Sequence, residues 1–212
     1  MNFHPHILNA KQKRLLKPLG SWAASHGFYL AGGTALALML GHRQSVDFDF
    51  FTQQNIPDPL RLVTELRDVG FTVEPQSVAP DTLLVTISQV KASFITYRYK
   101  MLEEYVDYPA YDLKLASLSD IAAMKLAAIA QRGARKDFID CCALIRTSYT
   151  LPQMLQFYRE KFGFKDVTHV LYGLAYFEDA EREPMPKMLR RTSWKQVKQE
   201  IQAAVKAVGL NG

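Results

Sequence analysis

The sequence predicts an α+β protein: a mixed β-sheet flanked by helices, followed by a C-terminal helical bundle. Three observations carry this. A strand–Gly-Gly–helix–strand unit spans residues 28–51. Three runs rich in β-branched and aromatic residues follow between residues 71 and 99. From Leu118 onward the apolar residues recur with helical spacing.

In chain order, Asn9 to His26 reads as a helix with Leu15, Leu16, Leu19 and Trp22 on one side, and Pro18 is expected to kink or divide it. Phe28–Ala31 reads as a short strand and Thr34–Leu40 as a helix entered through Gly32-Gly33. Pro57–Val69 has helical periodicity, with Asp58 near its start and Gly70 as its stop. Residues 71–74, 82–87 and 92–99 read as strands, the last two forming a hairpin through Gln89-Val90-Lys91. Met101–Leu115, with Pro109, four acids and three tyrosines, reads as a linker. The expected division therefore places one domain at 1–110 and a helical domain at 111–212. Ser119-Asp120 is expected to cap the first helix of the second half, and further helices are expected at 152–161, 166–177 and 193–208.

The most informative stretch is Val46-Asp47-Phe48-Asp49-Phe50-Phe51. The phenylalanines predict a buried strand, whereas aspartate is depleted from strands and costly to bury unpaired. Residues two apart in a strand share a face, so Asp47 and Asp49 are expected to project together, away from Phe48 and Phe50. Side-by-side carboxylates repel each other, and a hard divalent cation relieves the repulsion. Magnesium, held by one or two carboxylates with phosphates completing its shell, suits such a pair. Gly32-Gly33 places free N–H groups at a helix start, where anions are favoured and a backbone without side chains lets a phosphate approach. Thr34 either caps this helix or donates to a phosphate oxygen.

The helical half carries a second group. Lys125 lies among Ala123, Met124, Leu126 and Ala127, so its ammonium either snorkels out or finds an anion. Asp137 and Asp140 share a helical face. Asp137 sits near a helix start and gains from the dipole there. Asp140 either pairs with Lys125 or Lys136 or takes part in catalysis.

These residues resemble a known family. Ala31-Gly32-Gly33-Thr34-Ala35-Leu36-Ala37-Leu38 followed by Gly41-His42-Arg43-Gln44-Ser45-Val46-Asp47-Phe48-Asp49-Phe50-Phe51 is similar to the AbiEii-type nucleotidyltransferases, part of the DNA polymerase beta-like superfamily. Met124-Lys125-Leu126-Ala127-Ala128 and Arg132-Gly133-Ala134-Arg135-Lys136-Asp137-Phe138-Ile139-Asp140 resemble a later segment of the same family. The likeness covers roughly Tyr29 to Ile145. It implies a polymerase-beta-like nucleotidyltransferase fold and the transfer of a nucleoside monophosphate from a nucleoside triphosphate to a hydroxyl. The implied acceptor is an RNA, with the tRNA 3′ end as the working expectation. The resemblance further implies a toxin of a toxin–antitoxin or phage-defence system, restrained by an antitoxin protein. In these terms Asp47 and Asp49 hold magnesium. Gly32, Gly33, Thr34, Ser45, Lys136 and Asp137 bind the nucleotide, and Lys125 and Asp140 are catalytic, with Lys125 reaching phosphates across the cleft.

One departure stands out. Many superfamily members carry a third carboxylate on a later strand beside the Asp-x-Asp, yet Lys91–Tyr97 has none. Glu74, Asp81, Glu103 and Glu104 are the substitutes the sequence offers, and it does not select among them. The alternative reading is therefore a nucleotide- or RNA-binding module that no longer transfers. A metal nuclease would place its lysine on a strand near the second acid, and a protein kinase loop would need a third glycine; both fit worse.

Composition bounds the rest. At 48% hydrophobic and 22% charged, the 212 residues are ordinary for a soluble globular protein. No apolar run reaches membrane-spanning length and the start lacks a basic-then-apolar pattern, so a cytoplasmic protein without membrane attachment is expected. Cys141 and Cys142 are adjacent on a helix and diverge, which fits a reducing compartment. The net charge of +5 is uneven: Lys11, Lys13, Arg14 and Lys17 cluster early, and Lys187, Arg190, Arg191, Lys195 and Lys198 late. Such runs are ordinarily solvated helix faces, and become backbone contacts if the substrate is RNA.

Overall fold

The structure is a computed structural model and describes residues 2–209. Its first helix, α1 (Ala10–Ser25), begins at Asn9, whose side chain accepts from the Gln12 N–H while Gln12 returns a bond to the Asn9 N–H. Pro18 lies inside α1 without dividing it. Then come β1 (Tyr29–Ala31), α2 (Gly32–Leu40), β2 (Phe48–Thr52) and α3 (Pro59–Asp68), the last capped by Asp58. β3 (Val73–Ala79), β4 (Thr82–Ile87) and β5 (Val90–Thr96) form a meander. The β4–β5 turn is tighter than expected. Only Ser88 and Gln89 make it, both with positive φ, which matches the twist a two-residue hairpin needs.

The expected linker contains two strands, β6 (Val106–Tyr108) and β7 (Leu113–Leu115). Each is only three residues long. Pro109 and the charged Asp107 and Lys114 hid the alternation that buries Tyr108, Leu113 and Leu115. β7 pairs with β1 in parallel, Leu30 opposite Leu115, so the position expected to divide the chain, after residue 110, falls inside the β6–β7 hairpin. The seven strands order as β3-β4-β5-β2-β1-β7-β6, with β2–β5 and β1–β7 parallel and the other neighbours antiparallel.

The helical part comprises α4 (Leu118–Arg132), α5 (Arg135–Thr147), α6 (Leu151–Phe162), α7 (Thr168–Ala175), the short α8 (Glu178–Glu181) and α9 (Trp194–Gly209). α4 lies at the centre of this group, packing on α5, α6 and α7 and touching α2. Ser117, rather than Ser119-Asp120, caps it. Asp120 is fully buried, accepting from Lys161 Nζ (2.6 Å), Ser117 Oγ (2.6 Å) and the Leu102 N–H (3.1 Å). A buried carboxylate requires such partners, and they tie the segment after β5 to α4 and α6.

One hydrophobic core runs through both parts. Phe48, Phe50 and Phe94 are fully buried, Phe50 stacking on Phe94 at 5.3 Å, with Trp22 of α1 meeting Phe94 edge-on. Among the described residues no helix is long and apolar enough to cross a membrane.

Candidate active site

The site forms where α2 begins. Gly32 has φ +65°, a left-handed conformation suited to glycine, and a Cβ there would lie 2.9 Å from Asp49 Oδ2. At Gly33 a Cβ would lie 2.4 Å from Arg43 Nη2. The space left by the missing side chains is thus filled by the chain's own carboxylate and guanidinium. No side chain caps α2 among the described residues, and a helix start left so has N–H groups without intrahelical partners. Gly32→Ala is expected to destabilise the fold by about 1–2 kcal/mol through strain at positive φ. It should also displace Asp49, so thermal unfolding and nucleotide transfer would both register it.

Thr34 does not cap the helix. It is buried, and its hydroxyl donates to the Asp47 carbonyl and shares a 2.7 Å hydrogen bond with the Ser45 hydroxyl. Both expected phosphate ligands therefore brace the loop leading into β2. Gln12 of α1 holds the same loop by donating to the Ser45 carbonyl at 2.9 Å.

Asp47 sits one residue before β2 and Asp49 within it, opposite Ala31. Both are half-buried, and neither joins an ion pair among the described residues. Asp49 Oδ1 accepts from Ser93 Oγ at 2.8 Å. Parallel pairing of β2 with β5 sets Ser93 in register with Asp49, so a serine occupies the position next to the second acid. The four proposed substitutes lie elsewhere. Glu74 is on the far edge strand, and Asp81 is engaged by Arg98, Thr96 and the Ile56 N–H. Glu103 and Glu104 line an open hollow with Gln53, beyond the other end of β2. Two hard-oxygen carboxylates outside any ion pair, Asp49 beside a helix start, have the donor chemistry magnesium takes when substrate phosphates complete its shell; no group of three His, Cys, Asp or Glu forms among the described residues.

Behind the glycines lies a buried ion network. Arg43 grips Asp140 through Nε (2.6 Å) and Nη2 (2.8 Å), and His42 Nε2 stands 2.8 Å from the same carboxylate. Lys125 Nζ bridges Asp137 (2.7 Å) and Asp140 (2.6 Å). Arg132 Nε bonds the other oxygen of Asp137 at 2.8 Å. The sequence reading aimed Lys125 at phosphates across the cleft; its ammonium is instead sequestered, only 4% exposed, because buried charge needs its counter-charge in contact. Of the two partners weighed for Asp140, Lys125 is the one it meets. Lys136 is exposed and joins no ion pair among the described residues. Burial by itself would raise the Asp140 carboxyl, but the Arg43 and Lys125 charges prevail and hold it well below the usual carboxylate range. Asp137 is lowered likewise, Lys125 and Arg132 outweighing its burial.

Arg43, Arg132 and Ser93 are residues the sequence reading passed over. Arg132 is the exposed member of the ion network. Its side chain is 58% exposed, and Asp49 is among the charges that favour its charged form, after Asp137. Arg43 and Arg132 lie within the quoted motifs, whereas Ser93 becomes visible only through the β2–β5 register.

A mixed sheet presenting paired carboxylates at a glycine-led helix start defines a nucleotidyltransferase fold. Two solved structures share it over nearly the whole chain. JHP933 from Helicobacter pylori aligns with a TM-score of 0.59 and 16% identity, covering 99% of this chain and 94% of that one. MenT4, a nucleotidyltransferase toxin from Mycobacterium tuberculosis H37Rv, aligns with a TM-score of 0.53 and 18% identity, covering 93% and 86%. In sequence, residues 14–101 and 76–207 match the family described as nucleotidyl transferase AbiEii toxin, type IV TA system. The uncharacterized protein aq_aa25 of Aquifex aeolicus (strain VF5) is 34% identical over 200 residues, covering 94% of this chain and 96% of the relative. The chain belongs to the AbiEii nucleotidyltransferase toxin family.

Proposed function

We propose that the protein transfers a nucleoside monophosphate from a nucleoside triphosphate to a hydroxyl of an RNA, the tRNA 3′ end included, and acts as a toxin restrained by an antitoxin. The acceptor oxygen bonds to the α-phosphorus, the bond from that phosphorus to the departing pyrophosphate breaks, and the acceptor proton passes to solvent. The observation carrying this reading is Asp47 and Asp49, both half-exposed and free of ion pairs among the described residues, with the Asp49 carboxylate set against the start of α2. Magnesium bound there would neutralise charge on the triphosphate and its leaving group. The α2 N–H groups would orient phosphate oxygens, and Arg132, held to Asp137 through Nε, keeps its remaining N–H groups for them. Lys125, Asp137 and Asp140 position Arg132 and Arg43. Arg132→Gln is expected to raise the KM for the nucleotide by about tenfold or more, the worth of a charge-assisted phosphate contact, measured by nucleotide titration at saturating acceptor.

Charge supports an RNA acceptor. Asp47 is the first acid of the chain, and residues 184–199 contain none. Lys11, Lys13, Arg14, Lys17 and Arg43 in the first stretch and Lys187, Arg190, Arg191, Lys195 and Lys198 in the second leave the remainder of the chain at −5. Both stretches meet at the loop before β2. Ser45 is held by Gln12, the adjacent Gln44 N–H donates to the Lys187 carbonyl at 2.8 Å, and Arg190 reaches the Leu40 carbonyl at 2.6 Å. The two acid-free stretches thus adjoin at the loop before Asp47, and of their cations Arg43 is spent on Asp140 and Lys198 on Glu181, leaving the others for a phosphate backbone.

The decisive experiment incubates the protein with each labelled triphosphate, magnesium and total cellular RNA. A labelled RNA supports the reading. Magnesium-dependent nucleotide binding with no pyrophosphate release would favour the second reading, a non-transferring binding module, which the serine at the third-acid position favours.

A further inference from the structure

Ser93 is 6% exposed, on the strand face opposite its neighbours Ala92 and Phe94, which face the core. A hydroxyl in such a place needs a partner, and the one it has is Asp49 Oδ1. The second oxygen of that carboxylate is located by Gly32, where only the absence of a Cβ leaves room. Both oxygens are therefore set independently, one by a donor and one by shape. An ionised carboxylate offers about four lone-pair sites, so one hydrogen bond from Ser93 leaves the others for a cation.

We propose that Ser93 is a positioning residue that fixes the Asp49 carboxylate for divalent-cation binding, in the place where a third carboxylate would complete an all-protein site. This rests on the metal-assisted transfer reading above. With two acids and a hydroxyl, the chain binds the cation weakly by itself and strongly only with triphosphate oxygens present. Cation and nucleotide therefore load together, which ties activity to nucleotide supply.

The test is a manganese titration followed by electron paramagnetic resonance, with and without a non-hydrolysable triphosphate analogue. Wild type should bind manganese about tenfold or more tightly with the analogue than without it. Ser93→Ala should weaken the analogue-supported binding by about tenfold, and Ser93→Thr, which keeps the hydroxyl, should restore it. Ser93→Asp should bind manganese without the analogue about tenfold more tightly than wild type does. It should also gain thermal stability when manganese is added, since the cation relieves repulsion between Asp49 and the new acid. Wild-type binding with Ser93→Ala indistinguishable from it would overturn the role of Ser93 alone, as would failure of Ser93→Thr to restore binding. No manganese binding by wild type, even with the analogue, would overturn the metal-assisted reading beneath it.

Discussion

Asparagine in place of Asp47 or Asp49 is expected to lower nucleotide transfer by about a thousandfold, and the double change Asp47→Ala with Asp49→Ala to abolish it. A thousandfold corresponds to about 4 kcal/mol of transition-state stabilisation, within the several kcal/mol that a charge-neutralising cation supplies to a departing pyrophosphate. The fold should survive. Neither acid is ion-paired among the described residues, both are half-buried, and an amide at position 49 can still accept the Ser93 hydroxyl. Transfer rates with labelled nucleotide, measured beside thermal unfolding, separate lost chemistry from lost structure. Undiminished labelling by the double variant would remove metal-assisted transfer from consideration.

The second large effect lies a few ångströms deeper. Asp140→Ala is expected to destabilise the protein by about 3–5 kcal/mol, because Arg43 and Lys125 would keep their charges in the interior with one counter-charge gone. For a chain of this size that lowers the unfolding midpoint by about 10 °C. The same network predicts a pH dependence. The Asp140 carboxyl is held well below its unfolded value near 3.9, so the folded state binds its proton less readily than the unfolded state does. Its stabilisation is fully present above that unfolded value and is lost as pH falls toward the folded one. Urea unfolding followed from about pH 5 down to about pH 2 should show this acid limb. Asp140→Asn should flatten it, and an unchanged limb would show that other carboxylates govern acid stability.

The contrast between these two carboxylate pairs separates what could be read early from what could not. Asp47 and Asp49 announce themselves because aspartates among phenylalanines break the rule for a buried strand. The strand that carries Asp49 lies where that reading placed it. Lys125, Asp137 and Asp140 were visible as charges on helices, but whether they face solvent, substrate or each other depends on how α4, α5 and α2 pack. Thr34 and Ser45 show the same limit. The family resemblance gives both to phosphate, and only the fold shows that their hydroxyls also brace the entry to β2. β6 and β7 escaped notice because three-residue strands owe their existence to a neighbour, β1, rather than to their own propensity.

Local periodicity, glycine placement and the violated strand rule by themselves determined the α+β class and most of the elements, since each depends on residues close together in the chain. Tertiary structure alone decided the rest: that Ser93 sits beside Asp49, that Arg43 grips Asp140, and that Lys125 is spent on buried aspartates. The Ser93–Asp49 and Arg43–Asp140 contacts span 44 and 97 residues of sequence, and they arise from strand register, helix packing and the need of every buried charge to meet its opposite.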